Sequence, residues 1–233
     1  MTEDLIDIVL KNNVHYVKKR NTNQFFDLKY FEDFLKRQKL EFLSIKDMVL
    51  ENSRIPTIAQ SFYEALVYDG RILTQKAFAN YYFKKNCVSI SDQLFTFRPN
   101  KIGGYNTPKK SFHKISLQSR LYRAYPSLIR DFHFFLLCNT SKKFDDVKFS
   151  LKEDFSSGCD LTVIIDQKEI KARLFITTKR SLEFLNKKHR LHDFEGIFVD
   201  LPLDMSKAKS IGDFKVYDNT HVNMLLKTTR VKS

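Results

Sequence analysis

Asp160 closes the tripeptide Gly158-Cys159-Asp160 just before an apolar, β-branched run, and Lys179 follows it by nineteen residues. Between them lie a polar turn at 166–169 and a second β-forming run at 171–179, so the segment reads as a hairpin. In a hairpin the start of one strand lies beside the end of the next, which brings Asp160 and Lys179 to one sheet edge. A carboxylate there can hold a divalent cation, and magnesium accepts sites with only one or two carboxylates. The cation polarises a phosphate and lowers the pKa of bound water. A neighbouring lysine stabilises charge on the phosphate or on the attacking hydroxide. Metal-assisted phosphodiester cleavage is the chemistry expected of this pair. Both residues also have ordinary roles, because Asp at a strand start bonds nearby backbone groups and Lys commonly ends an exposed strand.

The elements that must position the pair follow from periodicity. Residues 116–138 read as a helix, broken or restarted at Pro126. Residues 146–154 alternate as a strand carrying Glu153 and Asp154. After the hairpin come a helix at 181–192 capped by Ser181 and strands at 196–203 and 213–218. A helix between strands predicts a mixed α/β sheet with a crossover.

The first half reads as mainly helical. Helices are expected at 5–19, at 28–39 capped by Asp27, at 57–70 between Pro56 and Gly70, and at 73–85 capped by Thr74. Residues 88–99 alternate like a strand or hairpin, and 99–114, with Gly103, Gly104 and several basic side chains, read as a linker. Helix, Gly-containing turn, helix and short strand pair is the order of a winged helix-turn-helix module. A helical packing domain without DNA contact fits the same pattern. The expected domains are 1–111 and 112–233.

Gly158-Cys159-Asp160, the hairpin, Thr177-Thr178-Lys179 and the helix from Ser181 resemble the core of PD-(D/E)XK nucleases, the superfamily of restriction enzymes and TnsA-type transposase endonucleases. The resemblance covers roughly the last 120 residues and implies a restriction-endonuclease-like αβββαβ core. It implies that Asp160 binds Mg²⁺ (or Mn²⁺), that Lys179 is the catalytic lysine, and that DNA is cut in restriction, transposition or phage defence. Thr177 departs from the pattern, since an acid or Gln is expected two residues before the lysine. The replacement candidates are Asp131, in the helix before the sheet, then Glu183 on the following helix, then Glu153 and Asp154. A restriction enzyme would be a homodimer; a transposase subunit would need a partner recombinase or defence subunit. Thr177 equally supports an inactive nuclease-fold DNA-binding protein or an interaction subunit of a larger nucleoprotein complex.

Composition narrows the classes. Lys and Arg number 40 against 27 acids, giving +13 and favouring a polyanion partner, DNA or RNA. Candidate phosphate contacts are Lys109, Lys110, Arg120, Arg123 and the run holding Lys187, Lys188 and Arg190; Arg130 is a further one. Tyr81, Tyr82 and Phe95 are candidates for base stacking. Cys87, Cys138 and Cys159 form no disulfide or zinc pattern, and the latter two read as small buried residues. His133, inside an aromatic run, reads as a core histidine. No apolar run spans a bilayer and no signal peptide is evident, so a cytoplasmic location without membrane contact is expected. Serine-hydrolase, Walker A and dinucleotide motifs are absent.

Overall fold

A computed structural model of the chain describes residues 9–11, 27–43, 57–67, 69–86, 110–178, 182 and 196–231. The chain divides into two compact units, Lys39–Leu128 and Met1–Gln38 with Ile129–Ser233. The expected division at 111/112 falls instead within the long helix α4 (Lys110–Ser141), whose first part belongs to the former unit and whose remainder to the latter.

The smaller unit contains α2 (Ile58–Val67), α3 (Gln75–Lys85) and the start of α4. Thr74 caps α3 as expected, its hydroxyl accepting from the Ala77 N–H at 3.2 Å. Phe62, Phe78 and Tyr125 interlock at its centre, with Phe62 edge-on to Phe78 at 5.6 Å and to Tyr125 at 6.3 Å. Tyr82 is fully buried here, which removes it from the base-stacking candidates.

Pro126 neither breaks nor restarts α4; the helix runs through it, and residues 110–114 of the expected linker are helical too. Proline has no N–H for the carbonyl four residues back, here that of Tyr122. Gln75 supplies the missing donor: its Nε2 lies 2.9 Å from the Tyr122 carbonyl oxygen. The same amide accepts from the Glu41 N–H at 2.7 Å and donates to the Glu41 carbonyl at 3.1 Å. A buried Gln thus satisfies the group that proline orphaned, and the helix survives.

The larger unit is mixed α/β. Its sheet has the order β1-β2-β3-β4-β5, with β1 (Val9–Lys11), β2 (Asp146–Ser150), β3 (Leu161–Ile165), β4 (Lys168–Ile176) and β5 (Ile197–Leu203). The first four strands pair antiparallel and β4 pairs parallel with β5, so a crossover joins them, as expected. The predicted β3–β4 hairpin is present, but its turn is two residues, Asp166 and Gln167, both at positive φ, and Lys168 and Glu169 of the expected turn already belong to β4. Val147, Val163, Ile170, Ala172, Val199 and Leu201 build the buried face.

Val9–Lys11 is a strand rather than helix. An open edge of β2 offers three residues a ladder, and β-branched Val9 accepts it. Residues 151–157 leave the expected strand to form the short helix α5 (Leu151–Ser157), because the Ser150 hydroxyl caps it by accepting from Glu153 N–H at 3.2 Å. Glu153 and Asp154 therefore lie on a helix.

Helix α1 (Leu28–Lys36) starts at Asp27 as predicted, with Phe31 and Leu35 fully buried and Phe31 edge-on to Phe132 at 5.1 Å. His133 is a core histidine, its Nε2 3.0 Å from Glu32, which Lys209 also contacts at 3.0 Å. The hairpin β6 (Lys209–Ile211) and β7 (Phe214–Val216) turns at Gly212, φ +57°, where a Cβ would stand 2.9 Å from the Leu35 carbonyl oxygen. After it comes helix α6 (Asn219–Val231), with the Asp218 carboxylate accepting from the Thr220 N–H at 2.9 Å. Among the described residues no helix is long and apolar enough to cross a membrane.

Candidate functional site

Asp160 is set by the exit from α5. Gly158 ends that helix in the left-handed conformation, φ +66°, and its N–H donates to the Asp154 carbonyl at 2.9 Å. The chain then reverses, and Asp160 enters the sheet one residue ahead of β3. Its N–H donates to the Ala172 carbonyl at 3.0 Å, extending the ladder begun at Leu161. Its Oδ2 accepts from the Leu174 N–H at 2.6 Å. The carboxylate thereby takes the place of a backbone acceptor where β3 has run out, while β4 continues to Ile176 paired with β5. One oxygen of the half-buried carboxylate is thus held by main chain.

Asp131 comes from α4, as expected, and is also half-buried. The two acids meet electrostatically at Tyr217, the fully buried residue after β7. Tyr217 Oη lies 3.3 Å from the Leu201 carbonyl and 3.4 Å from the Phe175 carbonyl, spanning the parallel pair β4/β5. Burial pushes its phenol well up, and the negative charges of Asp131 and Asp160 push it further, while Arg130 opposes them. The Tyr217 phenol keeps its proton, which it donates to the β4/β5 carbonyls. Sequence patterns gave no reason to select Tyr217, which follows a three-residue strand and is brought here by tertiary packing.

Thr177 is exposed, and its backbone N–H and hydroxyl both approach the Leu203 carbonyl, at 3.0 and 3.3 Å. The side chain stitches the end of β4 to the end of β5. Glu153 is drawn elsewhere, 3.4 Å from Lys148 Nζ and 3.4 Å from the Thr162 hydroxyl. Lys179, Glu183, Lys187, Lys188, Arg190, Lys109 and Phe95 lie outside the described residues, as does the side chain of Lys110.

Arg130 is not a phosphate contact: it is buried and its Nε donates to the Lys215 carbonyl at 3.0 Å. Arg123 is exposed, with one guanidinium nitrogen 2.7 Å from Ser119 Oγ, and Arg120 is half-buried. Arg173, a cation inside an apolar strand, pairs with Asp200 at 2.6 Å and lies over the Phe198 ring at 4.9 Å. Cys138 and Cys159 are buried free thiols, and burial pushes Cys159 up to about 11.

Asp131 and Asp160 each offer the oxygen ligands that a hard cation such as magnesium or manganese takes. Among the described residues no group of three His, Cys, Asp or Glu is arranged to hold a metal. A complete coordination sphere would draw on water, substrate phosphate or a further acid. Comparison of the chain with family models, with curated proteins and with solved structures found no match.

Proposed function

We propose that the protein is a metal-dependent DNA endonuclease hydrolysing phosphodiester bonds. The observation that carries the reading is the placement of Asp160 at the start of β3, its carboxylate held by the Leu174 N–H of the hairpin strand that leads in sequence to Lys179. The sheet supports it as well: three antiparallel strands, β2 to β4, followed by a parallel fourth is compatible with the αβββαβ order that the resemblance implies.

In this reading Asp160 and Asp131 would hold Mg²⁺ or Mn²⁺, which would supply a water of lowered pKa and polarise the scissile phosphate. The Leu174 N–H fixes one Asp160 oxygen, so the carboxylate meets its cation without reorganising. Lys179 places positive charge beside the phosphate. The biological setting is restriction, transposition or another mobile-element process, with a second copy or a recombinase as partner.

The test is cutting of supercoiled plasmid with Mg²⁺, Mn²⁺ or EDTA by wild type, Asp160→Asn, Asp131→Asn and Lys179→Ala. Asn at 160 can still accept from Leu174, which keeps the fold while removing the charge. Metal-dependent cutting that falls at least a hundredfold in each variant supports the reading; cutting that survives all three substitutions defeats it.

Thr177 favours a second reading, an inactive nuclease-fold DNA-binding protein. Its hydroxyl is directed to Leu203 in the position where an acid is expected. That reading predicts tight, salt-dependent DNA binding by wild type with no turnover in either metal.

A further inference from the structure

The charge of the chain is concentrated. The unit Lys39–Leu128 holds fourteen lysines and arginines against six acids, so it carries +8 of the total +13 in well under half of the residues. Within it α3 carries no acid: Gln-Lys-Ala-Phe-Ala-Asn-Tyr-Tyr-Phe-Lys-Lys. Its inner face, Gln75, Phe78, Ala79 and Tyr82, is buried. Its outer face exposes Lys76, Asn80 and Lys84, four residues apart and therefore in one stripe. None of the three makes an ion pair or hydrogen bond to a described residue, whereas the adjacent Lys85 is paired with Glu64.

The helix is held firmly from behind. Gln75 is tied to the Tyr122 carbonyl, and the Tyr125 hydroxyl donates to the Leu73 carbonyl at 2.6 Å, so both the approach to α3 and its first residue are fastened to α4. The helix therefore presents two unpaired cations and an amide to solvent from a rigid mount, in the unit that carries most of the net charge. Lys76 and Lys84 are about 12 Å apart along the axis, close to the roughly 12 Å width of the B-DNA major groove. An Asn between them has the paired donor and acceptor that match an adenine edge.

We propose that the outer face of α3 is a duplex-DNA-binding surface, with Lys76 and Lys84 on phosphates and Asn80 toward the bases. The inference rests on the nucleic-acid part of the function proposed above but is separable from cleavage. The connection from α2 to α3, residues 68–74, is longer than the three or four residues of a helix-turn-helix, so α3 is not the second helix of such a motif.

The experiment is fluorescence anisotropy with short duplexes of mixed sequence, in EDTA, across a salt series. Variants are Lys76→Ala with Lys84→Ala, Asn80→Ala, and Lys207→Ala as a control on an exposed lysine of the other unit. Thermal melting checks the fold of each. The double variant should bind at least tenfold more weakly, and its slope of log K against log salt should fall by about 1.8, two phosphate contacts at about 0.9 each. Asn80→Ala should keep the slope and narrow the spread of affinities among sequences. Unchanged affinity and slope in the double variant overturn the proposal, as does wild type that ignores duplex DNA or binds only RNA. Wild type that cuts plasmid while the double variant binds normally removes this surface and leaves the nuclease reading. DNA binding lost in the double variant, with no cutting by wild type, does the reverse.

Discussion

Removing the amide of Gln75 leaves the Tyr122 carbonyl without a side-chain donor, because Pro126 has no N–H to offer. Gln75→Ala should therefore destabilise the protein by about 1–3 kcal/mol in urea unfolding, the cost of orphaned buried polar groups. Pro126→Ala restores the helical N–H and should recover part of that loss in a double-mutant cycle; strict additivity would break the link between the two residues. Asp160→Asn should cost less, within about 1 kcal/mol, since the amide oxygen still accepts from Leu174. Residues of this kind differ in how legible they are. The caps at Asp27 and Thr74 were readable because each acts within three residues of itself. Gln75 was not, because its partners stand 34 and 47 positions away. Asp160 could be singled out by its place before a strand, but its bond to Leu174 depends on the hairpin register, and Tyr217 reaches the site only through packing.

Elements were legible where local and tertiary preferences agree. Helices α1, α2 and α3 and strands β3, β4 and β5 coincide with their periodic runs. They failed where a distant partner decided the outcome. Val9–Lys11 carries a helical pattern yet joins β2, and α4 continues through a proline because a glutamine at the start of α3 bonds the vacant carbonyl. Strand β6 and helix α6 were missed; β6 is three residues long and exists only as the partner of β7. That hairpin is pinned by its turn. Gly212→Ala forces a side chain into the left-handed region and to within 2.9 Å of the Leu35 carbonyl oxygen. A loss of about 1–3 kcal/mol should follow, read as an earlier urea midpoint with unchanged slope. An unchanged midpoint would mean that the hairpin tip does not pack on α1.

At the scale of the molecule, the net positive charge was plain in composition, whereas its concentration in one unit needed the fold. Acid stability follows from the pair that half-buried Glu32 of α1 makes with buried His133 of α4. Burial holds His133 below its ordinary range against the pull of Glu32, so the unfolded chain takes up that proton first as pH falls below about 6.5. The hydrogen bond from His133 does most to draw Glu32 from 4.5 down to about 2, with burial opposing and Lys209 assisting. Its stabilisation is present above pH 4.5 and is lost as pH falls toward 2. Melting temperature should therefore decline in both windows, and Glu32→Gln should flatten the lower one; an unaltered acid limb in that variant would contradict the assignment. The proposed nuclease reading requires Asp131 and Asp160 to hold one cation, and Mn²⁺ titration followed by electron paramagnetic resonance measures that binding. Wild type should show a bound ion whose affinity drops at least tenfold in both Asp131→Asn and Asp160→Asn. Equal Mn²⁺ binding by wild type and both variants would contradict the account.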